Sequence, residues 1–96
     1  MTETAIRVVG LIPKTSTERV KGGKIAKEIG IDGFTVRKAI NEARTCGIPI
    51  CADTNGYYIA SDAKEVEKTI NTMRGRIRKM QRAVNGLETW RKHQTQ

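Results

Sequence analysis

The chain has little of what catalysis and metal binding use. One histidine, His93, and two cysteines, Cys46 and Cys51, are all it carries in 96 residues. The two cysteines do not form a redox Cys-x-x-Cys, and with a lone histidine in the tail they make no zinc set. They are expected to be ordinary reduced thiols, at least partly in the core. There is no phosphate loop and no nucleophile beside a base, so neither an enzyme nor a cofactor is expected. Acids are also scarce: 10 Asp+Glu against 18 Lys+Arg leave a formal charge of +8, which favours a polyanionic partner. No apolar run is long enough to span a bilayer, and no charged-then-apolar leader opens the sequence, so the cytosol is the expected compartment. A chain of this length builds only a small core, and pairing with a second copy is a common way to stabilise one.

What the sequence does contain is a dense succession of short elements. Residues Thr2–Ile12 carry Ile6, Val8, Val9, Leu11 and Ile12 at helical spacing, and Pro13 closes that helix. Arg19-Val20-Lys21 reads as a very short strand. A second helix places Ile25, Ala26 and Ile29 inward and Lys24, Lys27 and Glu28 outward, and stops at Gly30-Ile31-Asp32. Asp32 is the expected N-cap of a third helix over Gly33–Cys46. Its inner face is Val36, Ala39, Ile40 and Ala43; its outer face is Phe34, Lys38, Asn41 and Thr45, flanked by Arg37 and Arg44. Asn55-Gly56 signals a hairpin with a type I′ turn, with Ile50, Ala52, Tyr57 and Ile59 on its inner side.

A last helix is expected to start at Ser61 or Asp62, where Asp62 and Glu65 fit a variant capping box. Ile70, Ile77 and Val84 take one heptad position, and Val66, Met73, Met80 and Leu87 the other. This pattern favours two-stranded parallel pairing, with Ile70, Met73, Ile77, Met80, Val84 and Leu87 as the dimerising residues. The same stripe would also serve a helix packed on its own domain. Trp90 either caps the stripe or packs across an interface. Arg74, Arg76, Arg78, Lys79 and Arg82 form a basic run with no acid between Lys68 and Leu87. It reads as phosphate contacts, with Arg74 and Arg78 foremost, as a docking surface for an acidic protein, or as a solvated face. The scarcity of Trp, Phe and Leu speaks against a membrane-surface helix.

The expected fold class is therefore mainly α with a small β-hairpin wing. A winged helix-turn-helix over residues 1–60 is followed by a basic amphipathic helix over 61–92 and a flexible tail over 93–96. From Ile6 to Ile59 the chain resembles the winged-helix DNA-binding domain of the bacterial biotin operon repressor and related small helix-turn-helix regulators. The resemblance is carried by Ile6–Ile12, Gly22–Ile31, the unbroken run Asp32–Ile50 and Gly56-Tyr57 at the end of the wing turn. It implies a DNA-binding fold and no ligase activity, since the enzymatic region of the full repressor has no counterpart here. The wing departs from the pattern: no Lys or Arg lies between Thr45 and Ala63, and Asp53 adds a negative charge. Small basic regulators of phages and other mobile elements are similar in outline.

On this reading the third helix enters the major groove of double-stranded DNA. Arg37 or Lys38 would donate to guanine and Asn41 would pair with adenine. Phe34 would contact a thymine methyl or fold back on the second helix, and Thr35 would bond a phosphate. Lys24 and Lys27, with Arg19 and Lys21 ahead of them, would neutralise phosphates. Arg44 and Asn55 complete the candidate contacts. The expected function is that of a dimeric transcriptional regulator. The alternatives are a replication, excision or partition factor of a mobile element, or a winged-helix assembly module without specific DNA binding.

Overall fold

The computed structural model describes residues 1–94. Three short helices, α1 (Glu3–Gly10), α2 (Gly22–Ile29) and α3 (Gly33–Thr45), precede an antiparallel hairpin, β1 (Ile50–Asp53) and β2 (Gly56–Ile59). One long helix, α4 (Ala63–Gln94), follows. The expected fold class is the observed one.

Side-chain caps start α1, α3 and α4, and a glycine ends α3. The Thr2 side chain caps α1 by accepting from the Ala5 N–H, and Asp32 caps α3 by accepting from the Thr35 N–H at 2.7 Å. At the C-terminus of α3, Gly47 takes a left-handed φ of 92°, and the Ile48 N–H turns back to the Ala43 carbonyl at 3.0 Å. For α4, Asp62 accepts from the Glu65 N–H while Glu65 reaches back to the Ser61 N–H and hydroxyl, each bond 2.9 Å. That is the variant capping box expected from Asp62 and Glu65. The helix runs on through His93 and Gln94, which the sequence reading placed in a tail; the rest of that tail, residues 95–96, lies outside the described residues.

Val8, Ile12, Ile25, Val36, Ile40 and Ile50 form the core, together with Ala5, Ala39 and Ala43. Burying such side chains is the main favourable term in folding. The inner face of α3 is the one expected. That of α1 is not: Ile6 is 57% exposed, and the buried row is Ala5, Val8 and Ile12. Small Ala5 turns inward because α1 lies mainly against α3, whose Ala39 and Ala43 permit close approach.

The hairpin is buried on both sides. Its register pairs Ile50 with Ile59 and Ala52 with Tyr57, so these four share a face as expected, and Ile50, Tyr57 and Ile59 meet the helical core. On the opposite face Cys51 and Tyr58 are only 1% and 7% exposed. The start of α4 covers that face, and the Cys51 thiol lies 3.5 Å from the Glu65 carbonyl. Both cysteines are free thiols, Cys46 exposed and Cys51 buried.

The turn is not type I′, because among the described residues only glycines have a positive φ and Asn55 is therefore excluded from the required geometry. Asp53 stands first and Gly56 fourth, the preferences of a type I turn, and the Asp53 carboxylate accepts from the Asn55 N–H at 2.8 Å. Gly56 has φ 127°, and a Cβ there would lie 2.5 Å from the Val20 carbonyl oxygen. The close approach serves a bridge: Val20 and Tyr57 exchange N–H···O bonds of 3.0 and 2.8 Å, which makes Val20 the short strand expected of Arg19-Val20-Lys21.

Candidate nucleic-acid interface

The apolar periodicity of α3 determines what its other side presents. With Val36, Ala39, Ile40 and Ala43 inside, Phe34, Lys38, Asn41 and Thr45 share the solvent face. Phe34 is 67% exposed, so it projects outward rather than folding back on α2. No acid stands in this row. The Asn41 side chain is exposed, and the Asn41 backbone carbonyl accepts from the Thr45 hydroxyl at 2.9 Å.

Two carboxylates fix how this face is held. Asp32 occupies the α3 N-terminus, and its pKa is lowered chiefly by its hydrogen bonds from Thr35, with Arg37 adding a charge contribution. Arg37 curls back toward the helix start, where its Nη1 would lie 3.4 Å from a Cβ on Gly33. The backbone N–H of Thr35 is thus occupied by Asp32. Glu42 accepts from the Thr2 N–H at 2.5 Å and the Thr2 hydroxyl at 2.9 Å, tying the start of α1 to α3. Those bonds lower its pKa, with a smaller contribution from Lys38.

The remaining candidate cations ahead of α4 fall into three groups. Lys24 and Lys27 are exposed on α2. Arg19 is engaged within the chain: Nε donates to Asp53 Oδ2 at 2.7 Å, Nη1 donates to the Ser16 carbonyl, and the guanidinium lies 4.5 Å from the centre of the Tyr58 ring. The negative charge on the hairpin is thereby matched from the preceding loop. Lys21 and Arg44 form the third group with Arg76, lining a cleft of about 340 Å³ between the start of α2, the hairpin and α4. Arg44 is half-buried, and its Nε donates to the Ile50 carbonyl at 2.9 Å. Burial lowers its pKa first, and the neighbouring Arg76 lowers it further.

Arg76 is the residue the sequence reading passed over when it chose Arg74 and Arg78 from the basic run. Its one available signal was its place one turn beyond Met73, on the side of α4 that meets the hairpin. Arg74 and Arg78 are exposed and do not line the cleft, and Asn55 is exposed at the hairpin tip.

The apolar stripe of α4 divides. Val66, Ile70 and Met73 are half-buried and line a groove with Ile48, Pro49 and Ile50. Ile77, Met80, Val84 and Leu87 are exposed, as is Trp90. Among the described residues no group of three or more His, Cys, Asp or Glu could hold a metal ion, and no helix is long and apolar enough to cross a membrane. Comparisons with protein-family models, with curated proteins and with solved structures found no match to this chain.

Proposed function

We propose that the chain is a sequence-specific binder of double-stranded DNA that reads the major groove with the outer row of α3 and works as a dimer. The carrying observation is that row itself: Phe34, Lys38 and Asn41 stand outward, free of acids, on a helix whose opposite face is locked into the core. Asn41 supplies the donor–acceptor pair that fits adenine, Lys38 a donor for guanine, and Phe34 an apolar surface for a thymine methyl. Lys24 and Lys27 supply phosphate contacts. The cleft cations Lys21, Arg44 and Arg76 take the place of the basic wing that the hairpin lacks. The layout accords with the resemblance to small winged-helix regulators, and transcriptional control is the role we assign to it.

A second reading, an assembly module without base readout, draws on the hairpin, whose segment from Cys46 to Asp62 holds no cation. Selection of bound sequences from a random duplex pool at near-physiological salt separates the two. An enriched site supports base readout. Retention without enrichment, lost steeply as salt rises, would replace it with nonspecific attraction. No retention would leave the assembly reading.

A further inference from the structure

The part of α4 beyond Met73 carries an exposed apolar stripe. Ile77, Met80, Val84, Leu87 and Trp90 are each between 44% and 71% exposed, on a segment that no other element covers among the described residues. A lone helix is marginal in water, and Gly75 and Gly86 each weaken it by about 1 kcal/mol relative to alanine. The stripe therefore calls for a cover.

We propose that the cover is the same stripe of a second copy running antiparallel, an inference that rests on the dimeric reading above and gives it a direction. Side-by-side pairing in parallel would begin at Val66, but Val66, Ile70 and Met73 already meet the hairpin of their own chain. It would also set the two basic runs at the same height, and Arg76 would meet Gln81 while Glu88 met Ala83, leaving that acid unpaired. Turned around, the pairing uses only the free segment. Ile77 meets Leu87 of the second copy, and Met80 meets Val84. The flanking positions then fall into register: Arg74 faces Glu88, and Ala83 meets Ala83 near the crossing.

Each basic run now lies beside the half of the partner helix that holds Glu88, which gives Arg74 an acidic partner. The consequence is geometric: the two α3 faces lie at opposite ends of the pair, so the protein would hold widely spaced half-sites or two separate duplex segments.

Cysteine crosslinking in the full chain tests the direction. In a Cys46→Ser background, Ala83→Cys places two thiols across the antiparallel crossing, whereas Leu87→Cys places them together only in a parallel pair. Both positions are exposed, so neither change disturbs the core. The proposal predicts that Ala83→Cys oxidises to a covalent dimer and Leu87→Cys does not. Crosslinking of Leu87→Cys, alone or alongside Ala83→Cys, overturns the antiparallel direction. Failure of both overturns the second copy as the cover, whatever the mass in solution. Retention of duplex DNA, measured on the same samples, reports the groove reading separately from the pairing.

Discussion

The Arg19 guanidinium is bonded to the Asp53 carboxylate at 2.7 Å and lies against the Tyr58 ring, so one side chain joins the loop before α2 to both strands of the hairpin. The hairpin is thus tied down by a cation that a sequence reading assigns to phosphate. The same contact matches the negative charge of Asp53 within the chain.

This pair sets a pH dependence. The Asp53 pKa lies below its ordinary value, first because the Asn55 N–H donates to it and second because Arg19 does. A folded-state pKa that is depressed stabilises the fold fully above the ordinary carboxylate pKa of about 4, and the contribution is lost as pH falls through the folded-state value. In Arg19→Ala the Asp53 titration should move upward part of the way, since the Asn55 N–H remains. A carboxyl titration followed by NMR reads this directly, and an unmoved midpoint would mean that the ion pair does not persist in solution.

Core truncations should separate the two sides of α1 and the centre of the domain. Ile25→Ala and Ile40→Ala remove fully buried side chains and should each destabilise by about 2–5 kcal/mol in urea unfolding. Ile6→Ala, at a position 57% exposed, should stay within about 0.5 kcal/mol. A large loss at Ile6 would signal an interface that the isolated chain does not show.

Two glycines should respond in opposite ways to alanine. Gly56→Ala combines a positive φ with a Cβ driven into the Val20 backbone, and strain of this kind costs about 1–3 kcal/mol. The amide protons of Val20 and Tyr57 should lose hydrogen-exchange protection together. Gly86→Ala meets nothing within 4 Å and lies inside α4, where alanine should stabilise the helix by about 1 kcal/mol. Equal effects at the two sites would contradict the close approach of the hairpin to Val20.

Much of this architecture is legible in the residues. The inner row of α3 is read from a 3.6-residue period, and its caps from Asp32 and Gly47, because these signals are local. The face of α1 is misread because alanine carries little hydrophobic weight in a pattern; Ala5 is inside only because the α3 surface opposite it is small. The covered side of the hairpin is invisible for a related reason. Cys51 and Tyr58 alternate out of the core, and their cover comes from α4, an element with its own unbroken heptad pattern. That pattern likewise hides the point after Met73 where the stripe leaves the domain. The turn is misread because Asn55-Gly56 dominates the local signal, while the bridge from Val20 sets the backbone. Of the candidate contacts, those on the outer row of α3 follow from periodicity alone. The cleft shared by Lys21, Arg44 and Arg76 depends on packing between distant segments.

For the phosphate contacts, Arg76→Ala should lower the salt dependence of DNA binding by about one counterion and leave the preferred sequence unchanged. Measuring affinity for one duplex over a range of salt concentrations gives the slope. An unchanged slope would remove the cleft from the interface.

The central claim is that α3 reads bases, and Asn41 tests it most directly. Sites are selected from a random duplex pool with the native chain and with Asn41→Ala, under the same salt. The account predicts that the variant still retains DNA but loses preference at one base position in each half-site, because only the donor–acceptor pair on Asn41 has been removed. An identical selected site from both proteins would contradict it, and would place α3 outside the groove.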